Sequence, residues 1–413
     1  MKILIAEDDM VSRKVLQRSL EKWDYDVDAA EDGQEALDLY RSGSYSILIT
    51  DWMMPRMDGV QLVEKVRAIG SSDYVYIIML TAKSAKYEFI EAMEAGADDF
   101  LSKPLDREEL RVRLQAARRV IDLERQLSSQ NAELTENNVR MKHDLEAAAR
   151  IQVSLLPDSP PPLDNFRVDW SFDPCDELAG DIFNVFNLDE DYLGVYLLDV
   201  SGHGVSAALL AVTLSRLLSP VIDEASLLKR RLDEKPWYQI TQPTEVANQL
   251  NKRFQLNPEN SQYFTLIYGL LDKKTGEFRF ISAGHPQIIH LSKRFGGRLI
   301  EAPGIPIGIL EENEFVEHSI QMEPGDRIYL YSDGIAEAQN IDAEQFGLQR
   351  MVETLQEKSD SPLTESMEHM LEITNKWCGY NSIGDDVSIL ALEMIDASAE
   401  NELMDGTVKN HHC

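Results

Sequence analysis

The sequence predicts two folded units of different class joined by a helix: an α/β doubly wound domain with a five-stranded parallel sheet, a helical coiled-coil linker, and an α+β layered β-sandwich domain. Three observations predict this. Short apolar runs alternate with helix-period segments over residues 1–120, a stretch free of proline and glycine follows, and beyond Pro157 the pattern turns strand-rich. A chain of 413 residues with 43% hydrophobic content can bury more than one core.

In the first segment KILIAE, SILITD and VYIIMLTA read as buried strands with amphipathic stretches between them. Ligands of such sheets bind outside the carboxyl ends of the strands, and the polar residues that stand out fall at those ends. Asp8 and Asp9 follow the first run, Asp51 ends the second, Thr81 closes the third, and Lys103 with Pro104 follows the short FLS segment. Clustered carboxylates repel one another unless a hard divalent cation sits among them, and oxygen-only ligation suits Mg2+. Asp51 is then the expected metal-bound nucleophile for a phosphoryl group. Thr81 and Lys103 are placed to contact the oxygens of the acyl phosphate.

This segment resembles the response-regulator receiver family through AEDD at 6–9, TDWMMPRMDG at 50–59, LTA at 80–82 and FLSKP at 100–104. The resemblance implies phosphorylation of Asp51 by a histidine kinase, with Mg2+ held by Asp8 or Asp9, Asp51 and the Met53 carbonyl. It also implies a switch hydroxyl at Thr81, a switch aromatic at Phe100 and a cis peptide before Pro104.

Residues 105–155 read as one long helix, with the linker proper at 121–150. Val120, Leu127, Leu134, Met141 and Ala148 recur every seven residues, while Glu124, Asn131, Asn138 and Leu145 fall at the partner seam positions. Asparagine at a seam fixes register in two-stranded coils, so a parallel homodimer through this helix is expected. LLPDSPPPLDNF then ends the helix and opens the last domain, 151–395.

Strands are expected at FRVDWSF, IFNVFNL, YLGVYLLD, YFTLIYGLL, EFRFISA, RIYLYS and VSILALEM, with helices near 204–218, 244–256 and 363–377. Residues 223–240 read as a surface insertion and 396–413 as a disordered tail. Aspartates occur where these strands meet glycine-containing turns: AGD at 179–181, LLDVSGHG at 197–204, YSDG at 331–334 and GDDVS at 384–388. Glycine beside each carboxylate permits close backbone approach, so four distant segments can converge on two hard metal ions. Such a pair binds a phosphate ester, activates water and stabilises in-line displacement.

The ordered set resembles the PPM-type, metal-dependent serine/threonine protein phosphatases of the RsbU-like branch, from AARIQVSLLP at 147–156 to DDVSIL at 385–390. The resemblance implies that Asp199 bridges two Mn2+ or Mg2+ ions, with Asp181 and the Val200 carbonyl completing one site and Asp333 and Asp385 the other; Asp386 is the near alternative. It further implies a phosphorylated STAS anti-anti-sigma protein as substrate, opposed by an anti-sigma kinase. Asn184 departs from the family pattern at an outlying position.

His203 and His285 sit in glycine-rich turns and are read as structural, and Ser201 or Ser332 lacks a visible His and Asp partnership for nucleophilic catalysis. Cys175, Cys378 and Cys413 have neither disulfide density nor metal spacing, and His411 and His412 belong to the tail. The net charge of -32 argues against nucleic acid and anionic membranes as partners. No apolar run approaches the roughly 18 residues of a membrane span, and a cytoplasmic protein is expected. A receiver-controlled adaptor with a phosphatase-like binding domain is the alternative function, and missing metal carboxylates would mark it.

Overall fold

The computed structural model describes residues 1–70, 74–81, 90, 92–256, 262–380 and 383–396. It divides into two compact units, Met1–Arg140 and Met141–Cys413. The tail at 397–413, with His411, His412 and Cys413, lies outside the described residues.

The first unit is a parallel sheet of β1 (Lys2–Ala6), β2 (Asp26–Ala30), β3 (Ile47–Asp51), β4 (Tyr76–Thr81) and β5 (Asp99–Ser102), in the order β2-β1-β3-β4-β5. Helices α1 (Met10–Glu21), α2 (Gly33–Ser42) and α3 (Gly59–Ile69) lie between them. Each starts on an aspartate cap, Asp9, Asp32 and Asp58, whose side chain accepts a backbone N–H of the first turn. Both faces of the sheet are covered. Leu4, Leu48 and Ile77 point to one core, and Ile3, Ile47 and Ile78 to the other. Two-sided burial makes β1, β3 and β4 read as continuous apolar runs. Strand β2 escaped the sequence reading because it is an edge strand carrying Asp26 and Asp28, with only Ala30 buried.

Helix α4 runs over 47 residues, Arg107–Val153. Its opening turns belong to the first unit, where Leu110, Leu114, Ala117 and Ile121 are buried against the sheet at helical spacing. It therefore begins well before residue 121. Leu127, Leu134 and Met141 of the heptad row are exposed in the single chain. No described helix is long and apolar enough to cross a membrane.

The second unit stacks two antiparallel five-stranded sheets. One contains β7 (Ile182–Asn187), β8 (Tyr192–Val200), β11 (Phe264–Asp272), β12 (Glu277–Ala283) and β15 (Glu317–Gln321). The other contains β6 (Phe166–Asp173), β13 (Ile288–Ser292), β14 (Gly296–Ile300), β16 (Arg327–Tyr331) and β17 (Val387–Met394). Between them Leu193, Val195, Leu197, Phe278 and Phe280 meet Ile328, Leu330, Leu390 and Leu392. Helices α5 (Val205–Leu217) and α6 (Pro243–Arg253) cover the outer face of the first sheet. Helices α8 (Leu348–Glu357) and α9 (Leu363–Cys378) cover that of the second, and the one-turn α7 (Asp333–Ala336) follows β16. The surface insertion holds a small hairpin of β9 (Lys229–Arg231) and β10 (Tyr238–Ile240). The sequence reading did not pick out β13, β14, β15 or α8.

Candidate active site

Two acidic centres stand at strand ends, one in each unit. In the first, Glu7, Asp8 and Asp51 bring carboxylate oxygens within 4.8 Å of one another, the one such trio among the described residues. Lys103, carried just past β5, donates from Nζ to Asp51 Oδ2 at 2.8 Å and to Glu7 Oε1 at 2.9 Å. Burial works against its charge, but these hydrogen bonds outweigh burial and its pKa is raised. Burial also raises Glu7, with Lys103 opposing and Asp51 reinforcing the shift.

The centre differs from the sequence expectation at one place. Asp9, offered there beside Asp8, turns to the start of α1, where it accepts the Ser12 N–H at 2.8 Å; Glu7 takes the position facing Asp51. Asp51 is buried, and its Oδ1 accepts the Trp52 N–H at 2.8 Å. Thr81 closes β4 opposite Ser102, and its carbonyl accepts the Lys103 N–H at 2.8 Å. Phe100 lies half-buried on β5, Met53 is exposed in the loop after β3, and the Lys103–Pro104 peptide is cis.

The second centre is assembled by hydrogen bonds that cross from one sheet to the other. Asp181 immediately precedes β7 and Asp199 is next to last in β8, and these strands pair through Ile182 and Leu198. Asp333 opens α7 just after β16, while Asp385 and Asp386 immediately precede β17 and β16 pairs with β17 through Tyr331 and Ile389. The buried Asp386 carboxylate ties the two edges together, accepting N–H groups of Cys175 at 2.9 Å, Gly180 at 2.7 Å and Asp181 at 3.4 Å. Ser388 Oγ donates to Asp181 Oδ2 at 2.6 Å. Glycine is required at two of these crossings. A Cβ at Gly180 would stand 2.8 Å from the Val200 carbonyl oxygen, and one at Gly334 would collide with that of Asp386.

The charges in this centre are of one sign. Burial, then the carboxylates of Asp333, Asp385 and Asp386, push Asp199 up to about 7. Burial, then Asp385 and Glu337, push Asp333 up to about 6. Asp181 is raised by burial and by Asp199, against the Ser388 hydrogen bond. Every charge acting on Asp199 is another carboxylate. An all-oxygen donor set with no internal counter-ion fits hard divalent cations.

The remaining candidates fall outside this set. His203 pairs with Asp176 at 2.8 Å and is largely exposed. His285 is buried with Nδ1 2.6 Å from Thr265 Oγ1, and burial lowers its pKa to about 3. Ser201 Oγ accepts the Tyr263 N–H, and Ser332 Oγ donates to the Asp386 carbonyl while accepting the Ser388 N–H. Both serines serve the backbone. Asn184 reaches the Leu155 carbonyl at 3.4 Å. Sequence reasoning gave no role to Glu7, Gln152 or Ser388; all three lie inside motifs it quoted, AEDD, AARIQ and GDDVS.

The family model described as stage II sporulation protein E (SpoIIE) matches residues 189–395, half of the chain. The chain belongs to the SpoIIE family. The response regulator receiver domain model matches residues 3–115, so the N-terminal unit is a receiver domain ahead of the SpoIIE region. Phosphoserine phosphatase RsbP of Bacillus subtilis is 29% identical over 237 residues, 56% of this chain and 52% of that protein. Response regulator MprA of Mycobacterium avium is 42% identical over 116 residues, 28% of this chain and 50% of that protein. The chain thus spans about half the length of each of these curated relatives. The SiaA-PP2C domain of Pseudomonas aeruginosa shares the SpoIIE-region fold at a TM-score of 0.52 and 19% identity, covering 63% of this chain and 99% of that one.

Proposed function

We propose that this chain is a response regulator whose phosphorylation at Asp51 controls a metal-dependent phosphoserine/phosphothreonine protein phosphatase in the SpoIIE region. The reading is supported by the cross-sheet tie of Asp386 and Ser388 to the Gly180–Asp181 turn, and by the carboxylates of Asp333, Asp385 and Asp386 acting on Asp199. In this reading Asp199, Asp181, the Val200 carbonyl, Asp333 and Asp385 would hold two divalent ions, Mn2+ or Mg2+. Asp386, engaged with three backbone N–H groups, is the residue that holds the turn in place. The bound ions supply Lewis acidity and an activated water for in-line attack on a phosphomonoester.

In the receiver, Glu7, Asp8, Asp51 and the Met53 carbonyl hold Mg2+, Lys103 neutralises charge at Asp51, and Thr81 and Phe100 report its phosphorylation. The phosphodonor is a histidine kinase in the cytoplasm. The substrate is a phosphorylated anti-anti-sigma protein of the STAS type, opposed by an anti-sigma kinase; the likeness to phosphoserine phosphatase RsbP supports phosphoserine as the group removed. The long helix α4 transmits the signal as the seam of a homodimer. The test is Mn2+- or Mg2+-dependent phosphate release from a phosphorylated STAS protein, with and without beryllofluoride at Asp51. Activity that appears without metal, or that ignores the state of Asp51, overturns the corresponding half of the proposal.

A further inference from the structure

A cavity of about 670 Å3 opens beside Asp385, with Gly334, Glu337, Gln339 and Tyr380 in its walls. Asp385 belongs to both the cavity and the carboxylate centre, so a group held at that centre has this space next to it. The volume lies in the range of pockets that bury a ligand of several hundred daltons, far more than a phosphate fills. Two wall residues make no side-chain hydrogen bond or ion pair among the described residues. Tyr380 is fully exposed. Glu337 is exposed, and among the described residues no lysine or arginine pairs with it. Tyrosine is among the side chains enriched in polypeptide recognition, and a charge beside a cleft selects partners by sign.

Resting on the phosphatase reading, we infer that this cavity is the subsite for the polypeptide flanking the phosphorylated residue, and that Glu337 selects a basic side chain there while Tyr380 packs on the backbone. Divalent ions at the centre would offset the carboxylates that hold them, whereas Glu337 lines the cavity and is not among the proposed ligands. A lysine or arginine in the substrate gains an ion pair, and a glutamate meets repulsion.

The experiment compares three substrates of the full-length chain with Mn2+: p-nitrophenyl phosphate, a phosphoserine peptide with arginine flanks and one with glutamate flanks. The arginine peptide should have the higher kcat/KM. Glu337→Gln should cut that preference by about two- to fivefold, the range of a partly exposed ion pair, and Glu337→Lys should invert it. Tyr380→Ala should raise KM for both peptides and hydrolyse p-nitrophenyl phosphate like the parent, while the Glu337 variants, whose charge also acts on Asp333, are read as the ratio of kcat/KM for the two peptides at saturating Mn2+. Equal treatment of the two peptides by the parent, or a Glu337→Lys variant that keeps the parent's preference, overturns the inference. If p-nitrophenyl phosphate is not turned over at all, the phosphatase reading fails by itself. Fluorescence anisotropy of the two labelled peptides then decides the subsite: arginine-selective binding lost in Glu337→Lys upholds it, and unselective or absent binding overturns it.

Discussion

Gln152 holds the backbone of Ala179 through both its N–H and its C=O. Its Nε2 donates to the Ala179 carbonyl at 2.7 Å, and its Oε1 accepts the Ala179 N–H at 3.1 Å. Gln152 is buried in the last turn of α4, and Ala179 lies two residues before Asp181. The end of the long helix is thereby fastened to the turn that carries one of the candidate ligands. Leu155 and Leu156, just beyond, pack against the core under α5 and α6. A shift of the helix end in this domain would move Ala179 and, with it, the Asp181 carboxylate.

Gln152→Ala leaves the buried N–H and C=O of Ala179 without partners, a loss of about 1–3 kcal/mol. The variant should melt at lower temperature than the parent and require more Mn2+ for half-maximal stabilisation in a thermal-shift titration. A lower melting temperature with unchanged metal demand would confine Gln152 to a structural role.

Ser388→Ala removes the donor to Asp181 Oδ2, in a fully buried setting. It also leaves the Ser332 and Ser388 backbone contacts intact, so the loss should be local. Metal affinity by isothermal titration should fall while the far-ultraviolet circular dichroism spectrum stays that of the parent.

The pH dependence of the metal-free protein has a fixed sign. Asp199 and Asp333 are held up to about 7 and about 6 in the folded chain, against the ordinary 3.8. Between these values the folded state binds more protons than the unfolded, so stability should fall as pH rises from about 4 to 7. In EDTA the melting temperature at pH 5 should exceed that at pH 7.5. Mn2+ or Mg2+ should raise it more at pH 7.5, and Asp199→Asn should flatten both trends.

At the receiver, Glu7→Gln should weaken Mg2+ binding, because Glu7 faces Asp51 in the trio of carboxylates. Asp9→Ala should lower thermal stability through loss of the α1 cap but leave Mg2+ affinity unchanged. Quenching of Trp52 fluorescence by Mg2+ in both variants separates the two roles.

The exposed row Leu127, Leu134 and Met141 is the proposed seam of a dimer. Leu134→Lys places charge in that seam and should convert a dimer to a monomer by light scattering, with each domain still folded. A parent chain that is already monomeric at micromolar concentration contradicts the coil.

What the sequence disclosed followed from burial. Strands β3 and β8 are covered on both faces, so ILITD and YLGVYLLDV stand out as apolar runs, while the edge strand β2 carries Asp26 and Asp28 and does not. The aspartates of the second centre were visible because each sits at a strand end near glycine. Consecutive acids were not resolved so well. Glu7, Asp8 and Asp9 differ by the turn of the chain leaving β1, which sends Glu7 toward Lys103 and Asp9 to a helix cap. Asp385 and Asp386 diverge the same way, one exposed beside the cavity and one buried under Gly180. Gln152 could not be seen from local pattern, since its partner is 27 residues away and the contact exists only after folding.

The most direct test is a single titration: phosphate release from a phosphoserine protein as Mn2+ is added, for the parent and for Asp199→Asn. The account predicts release that rises with Mn2+ and then saturates in the parent, and is lost in the variant while its fold persists. Metal-independent release, or equal release by the Asp199→Asn variant, would contradict it.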